Sequence, residues 1–123
     1  MKNLLVTIVV TLFTASALAQ QSKQMVRLAK IQVDPLQLKQ YNAALTLQMK
    51  TAVKLEPGVL TYYAVADKKD ASHITILEIY ADTAAYKAHT LTPHFKKYKA
   101  TVQNMVKSLE LVDVGLIGKA VKP

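Results

Sequence analysis

The 123-residue sequence contains no cysteine and no tryptophan, only three glycines, and a single arginine, Arg27. Without thiols there is no disulfide, no thiolate metal site, no cysteine nucleophile and no lipid-modified N-terminal cysteine. The domain must hold together by packing alone, which roughly 100 residues can do with modest margin and which dimerisation would help. Gly58, Gly115 and Gly118 are too scattered to build a phosphate-cradling loop, which argues against nucleotide cofactors. One arginine and no tryptophan leave little for reading or stacking on bases. The 16 basic residues against 8 acidic ones therefore read as a lysine-rich solvated surface, open to weak attraction by anionic membranes, and not as a nucleic-acid interface.

Apolar residues make up 51% of the chain, enough for a real core. Part of them belong to the first twenty residues. Met1-Lys2-Asn3 is a short positive start, Leu4 to Phe13 is almost wholly apolar, and Ala17-Leu18-Ala19 places small residues where a signal peptidase reads. The run is too short for the ~20 residues of a spanning helix. A signal peptide over residues 1–19 is expected, with one domain over 20–123, export to the periplasm or outside the cell, and no integral membrane segment after cleavage. Losing Lys2 lowers the formal charge of +8 by one.

The rest of the chain alternates between two periodicities. Residues 24–33 read as a strand. Asp34-Pro35 opens a helix, with Asp34 as cap, Pro35 at the first helical position and Gln37 completing a capping box. Leu38, Tyr41, Leu45, Met49 and Ala52 follow at helical spacing, and Glu56-Pro57-Gly58 stops the helix. Val59 to Ala66 and Ser72 to Ala81 form a hairpin across the polar turn Asp67–Asp70. Asp82-Thr83 caps a short helix ending near Thr90. Thr92-Pro93 starts another, with Phe95, Tyr98, Val102 and Met105 as its apolar stripe. Leu109 to Ile117 reads as a last strand.

The order β-α-β-β-α-β, with the second helix split, predicts an α+β fold of ferredoxin-like type with an antiparallel sheet. The second strand is apolar on both parities: Val59, Thr61, Tyr63 and Val65 against Leu60, Tyr62, Ala64 and Ala66. A sheet apolar on both faces needs a cover on both, and two helical elements cover one. A homodimer with facing sheets is the expected solution.

Candidate chemistry is concentrated between residues 78 and 98. Glu78 shares its strand parity with Ile74, Ile76 and Tyr80, an otherwise apolar face. There it is either a base suited to accepting a proton from a phenol or a structural acid paired with lysine or backbone. His89, three residues after Tyr86, either handles substrate near neutral pH or stabilises a helix C-terminus. His94 falls in a first helical turn, where a neutral imidazole is favoured. His73 reads as surface. Tyr62, Tyr63, Tyr80 and Tyr98 either line a pocket for a flat ring or are core residues with satisfied hydroxyls. A metal site from Glu78, His89 and His94 is conceivable, but the spacing across Thr92-Pro93 matches no helical ligand pair, so none is expected.

Glu78-Ile79-Tyr80, a short helix ending in His89, then Thr92-Pro93-His94-Phe95, together with Glu56-Pro57-Gly58 ahead of the second strand, resembles the signature of the antibiotic biosynthesis monooxygenases. The resemblance covers roughly residues 24–117. It implies a dimeric α+β barrel and oxidation of a phenol or quinol by molecular oxygen with no bound cofactor. It also implies His89 or Glu78 as base, with Tyr80, His94, Phe95 and Tyr63 around the substrate. Many members carry tryptophan at the position of Tyr80, which this chain lacks. Family relatives also include isomerases of small polar metabolites and proteins that handle haem, so an isomerase and a non-catalytic binder of hydrophobic ligands or haem are the rival expectations.

Overall fold

The computed structural model describes residues 23–123, so the expected signal segment and the first residues of the expected domain lie outside the described residues. The elements are β1 (Met25–Val33), a 3₁₀ turn (Pro35–Gln37) running into α1 (Leu38–Leu55), β2 (Val59–Ala66), β3 (His73–Tyr80), α2 (Thr83–Thr90), α3 (Pro93–Val102) and β4 (Val106–Val114). The sheet order is β2-β3-β1-β4, and every neighbouring pair is antiparallel. This is the ferredoxin-like α+β fold, with its second helix divided at Leu91-Thr92.

Capping chemistry divides the chain at the expected points, with two local differences. The Asp34 carboxylate accepts from Leu36 N, and the Gln37 amide donates back to that carboxylate at 3.3 Å instead of reaching a backbone N–H. The Asp34 N–H is already taken by Met105 O at 2.8 Å, so the reciprocal capping box has no donor to satisfy, and the first turn tightens to 3₁₀. Asp82 and Thr92 cap α2 and α3 through Ala85 N and Phe95 N.

The last strand lies three residues earlier than its expected place at 109–117. Helix α3 stops at Val102, Met105 N turns back to Val102 O, and Val106 pairs with Val33. The ladder then runs to Val114 opposite Val26. Met105 therefore belongs to the turn and packs against the core from there.

Helix α1 buries Tyr41, Leu45, Gln48 and Ala52, spaced for a single face against the sheet. The core divides into two clusters. Ala29, Ile31, Val33, Tyr41, Leu45, Ile74, Ile76 and Val102 form the larger, and Ala52, Val59 and Tyr80 the smaller. Each fully buried large side chain contributes about 1.5–3 kcal/mol.

The strand parity of β2 departs from simple alternation. Val59 pairs with Tyr80 and Thr61 with Ile79, so Leu60 is an extra residue in the ladder. This bulge places Val59, Tyr62, Ala64 and Ala66 together on the helix face and turns Thr61, Tyr63 and Val65 to the other. Tyr63 and Val65 are each 63% exposed there. Tyr63, expected beside the substrate, therefore lies on the opposite side of the sheet from the helices. The segment Gly115–Lys119 shares a cleft with Val26, Leu60 and Ile79 on that same side.

Candidate functional site

A cavity of about 710 Å³ lies between the helix face of the sheet and helices α1 and α3. Ala29, Ile31 and Ile76 supply apolar floor, Leu45 and Met49 one wall, and Phe95 and Tyr98 another, with Leu109 and Leu111 of β4 along the side that no helix covers. Arg27 stands at its margin, paired with Asp113 at 2.9 Å and stacked 4.4 Å from the Tyr86 ring centroid.

Glu78 projects into this cavity from β3, on the face shared with Ile76 and Tyr80. Its Oε1 accepts a 2.7 Å hydrogen bond from the Tyr80 hydroxyl, so its partner is neither lysine nor backbone. Tyr80 Oη lies 2.9 Å from Tyr62 Oη, and Tyr62 Oη lies 2.9 Å from His89 Nε2. His89 is completely buried and does not line the cavity. A layer of tyrosine hydroxyls separates the acid from the imidazole, and the chain of contacts joins them.

Beyond His89 sits an acid whose role the sequence did not declare. Glu56 Oε2 lies 2.9 Å from His89 Nδ1 and 2.7 Å from His94 Nε2. An ionised carboxylate can only accept, so each of those nitrogens carries its hydrogen. Glu56 is the C-cap residue of α1, at the negative end of the helix dipole, where a carboxylate is disfavoured by itself. That misplaced charge was the available signal, and the two imidazoles compensate it. Gly58 makes the approach possible: a Cβ there would meet the Ala85 Cβ at 2.5 Å, so any side chain would push the Glu56 loop away from α2.

Glu56, His89 and His94 bring three donor atoms within 4.8 Å of one another, a set that could hold a metal ion. Glu78, the acid weighed with these histidines in the sequence, is not part of it. As the atoms stand, both imidazoles meet one carboxylate oxygen at hydrogen-bond length, which protons satisfy without an ion.

Two further features complete the site. Burial, followed by the charge of Glu78, pushes the Tyr62 and Tyr80 hydroxyls far above their usual value of 10.0, so both are neutral donors at any working pH. Tyr98 is raised too, by burial first and then by its neighbour Tyr41, with which it shares a 2.8 Å contact. Gln48, which sequence periodicity marks only as an inward-facing α1 position, lines the cavity with its Oε1 buried and without a partner among the described residues. A single-sequence pattern carries no signal for such an atom.

Of the residues expected to act, Glu78, Tyr80 and Phe95 line the cavity, the buried His89 and the partly exposed His94 lie behind it, and Tyr63 lies elsewhere. Phe95 bridges the two regions, its ring centroid 4.7 Å from that of His89.

Residues 25–101 match the model of the antibiotic biosynthesis monooxygenase family. No curated protein matches the sequence. Among solved structures, a protein described as an antibiotic biosynthesis monooxygenase from Bacteroides thetaiotaomicron is 50% identical, with a TM-score of 0.79 over 84% of this chain and 98% of that one. A monooxygenase so described from Lactobacillus acidophilus is 28% identical, with a TM-score of 0.71 over 72% of this chain and 42% of its own. One from Caulobacter crescentus is 26% identical, with a TM-score of 0.65 over 75% and 90%. With the family model spanning most of the folded domain and a half-identical relative matched along nearly its whole length, the chain belongs to the antibiotic biosynthesis monooxygenase family.

Proposed function

We propose that the protein oxidises a phenol or quinol with molecular oxygen and without a bound cofactor. The observation that carries this reading is Glu78, a carboxylate set in the largely aliphatic and aromatic wall of a cavity and oriented by the Tyr80 hydroxyl. Its volume of about 710 Å³ suits an aromatic molecule of more than one ring.

Glu78 takes the phenolic proton. The resulting phenolate transfers one electron to oxygen, and the phenoxyl and superoxide so formed join through a new C–O bond on the ring. The peroxide regains the proton, and loss of water with the ring hydrogen leaves a quinone carbonyl. Substrate plus oxygen gives quinone plus water, with no outside reductant. The protein contributes a base, a dry apolar surround and fixed orientation. We further propose that a second copy covers the sheet face bearing Tyr63 and Val65, making a homodimer. No helix among the described residues is long and apolar enough to cross a membrane.

An oxygen electrode with a panel of quinols and polycyclic phenols tests the reading. Oxygen uptake by the wild type should fall ~100-fold or more in Glu78→Gln, which keeps the shape and removes the base. Undiminished uptake in a folded Glu78→Gln protein, or ligand conversion without oxygen uptake as an isomerase would show, would overturn it.

A further inference from the structure

The sheet carries a row of polar side chains beneath the helices, in register across all four strands. Tyr62 of β2 pairs with Glu78 of β3, Glu78 with Arg27 of β1, and Arg27 with Asp113 of β4. Directly opposed residues of antiparallel strands stand roughly 5 Å apart at their Cα atoms and point to one face. Arg27 and Glu78 are thus opposite charges side by side, and both line the cavity. Yet no ion pair joins them among the described residues. Glu78 turns to the Tyr80 hydroxyl, and Arg27 turns the other way, to Asp113.

The pairing with Asp113 occupies only part of the guanidinium. Nε and Nη2 both meet the same oxygen, Asp113 Oδ1, at 2.9 Å, whereas Nη1 meets no acceptor among the described residues. Arg27 and Tyr86 line both the cavity and the smaller cleft beside it, but Asp113 lines only the cleft. The acid therefore holds the outer edge, and Nη1 with the second hydrogen of Nη2 remains as a pair of donors for the cavity. The two partners are also unequal, the Arg27 side chain being 13% exposed and that of Asp113 74%. Water screens the carboxylate, so the pair offsets little of what burying a guanidinium costs. Tyr86, its ring centroid 4.4 Å from the guanidinium carbon, steadies the group. Arginine is charged at every working pH, and its fork matches a carboxylate through two parallel hydrogen bonds.

We infer that Arg27 anchors a carboxylate on the aromatic substrate, which makes the substrate class a hydroxylated aromatic acid. The inference rests on the reading of the cavity as the site of phenol or quinol oxidation, and it adds orientation to that reading. A carboxylate set beside Glu78 would be repelled. Set against Arg27, it turns the phenolic hydroxyl toward Glu78, with the ring between the two charges on the apolar floor. Among the residues lining the cavity, Arg27 and Lys99 are positive and Glu78 alone is negative. Lys99 is exposed and draws anions toward the opening, while Arg27 is the cation held inside.

Calorimetric titration under nitrogen tests the anchor without turnover. The probes are a hydroxynaphthoate with hydroxyl and carboxylate on different rings, and the matching carboxamide, which keeps the shape and drops the charge. The wild type should bind the carboxylate about tenfold or more tightly than the carboxamide. Arg27→Ala should abolish that preference, chiefly by weakening the carboxylate, while Lys99→Ala should leave most of it. Where Arg27→Ala folds poorly, Asp113→Asn decides. Freeing the guanidinium of its competitor should tighten carboxylate binding about two- to fivefold and leave the carboxamide unchanged, and unimproved binding there would overturn the anchor. Equal binding of the two probes by the wild type would overturn it too, as would a preference that survives Arg27→Ala or vanishes with Lys99→Ala. A carboxylate preference in a protein that takes up oxygen with no quinol or phenol would sink the proposed oxidation and keep the anchor. Oxygen uptake on neutral and carboxylated substrates alike, with no binding preference, would do the reverse.

Discussion

Replacing Glu56 by alanine sets two effects of opposite sign against each other. A carboxylate at the C-terminus of an 18-residue helix opposes the dipole, so its removal alone should stabilise by about 0.3–1 kcal/mol. The same change strips the acceptor from two imidazoles. His89 has no exposure and cannot find water, so its Nδ1–H is left buried and unpaired at a cost of about 2–3 kcal/mol. His94, with 18% of its side chain exposed, can turn to solvent and should lose about 1 kcal/mol or less. The burial-driven loss dominates, and a net destabilisation of about 3 kcal/mol is expected. For a domain of this size that lowers Tm by on the order of 15 °C. Urea unfolding followed by circular dichroism measures it. Repeating the substitution in a His89→Phe background should cut the cost to under about 1 kcal/mol, because the stranded donor is then absent. A stabilised Glu56→Ala protein, or a cost unchanged by His89→Phe, would refute the assignment of Glu56 as the partner of a buried imidazole.

The remaining expectations follow from single contacts. Gly58→Ala drives a Cβ to 2.5 Å from the Ala85 Cβ, with no flexible side chain able to yield, and should cost about 1–3 kcal/mol in the same unfolding assay. Gln48→Leu removes an unpaired buried carbonyl together with the 3.3 Å amide contact to His89 Nε2, so the two effects oppose and stability should change by less than about 1 kcal/mol in the same assay. Tyr62 and Tyr80 keep their protons when folded but lose them near pH 10.0 when unfolded. Stability is therefore complete below that pH and should fall as pH rises past it, by up to about 1.4 kcal/mol per unit for each tyrosine, as urea midpoints between pH 8 and 11 would show. Arg27→Ala should change stability by less than about 1 kcal/mol through its ion pair, because Asp113 is largely exposed.

Much of the architecture was legible because local chemistry marks it. Asp34-Pro35, Asp82-Thr83 and Thr92-Pro93 each carry a capping oxygen and a residue suited to the first turn, and the helices begin there. Glu78 and Tyr80 were legible as inward-facing because period-two alternation in β3 is unbroken. Alternation failed in β2, where one extra residue at Leu60 reverses the faces after Val59, exchanging Tyr63 for Tyr62. No local pattern announces a bulge of this kind, since Leu60 is an ordinary strand residue. The start of β4 was misplaced because Met105 continues the helical spacing of Phe95, Tyr98 and Val102, and only its pairing with the β1 exit shows that the helix has ended. Glu56 was read as punctuation before Pro57-Gly58. Its contacts with His89 and His94 span 33 and 38 residues, beyond any periodicity argument.

The reaction itself is tested most directly by running it under ¹⁸O₂ with a polycyclic phenol and weighing the product by mass spectrometry. The account predicts one ¹⁸O atom in each quinone formed, with one oxygen molecule consumed per substrate and labelled product accumulating ~100-fold or more slowly in Glu78→Gln. A product whose mass is unchanged, or whose new oxygen comes from water, would contradict it.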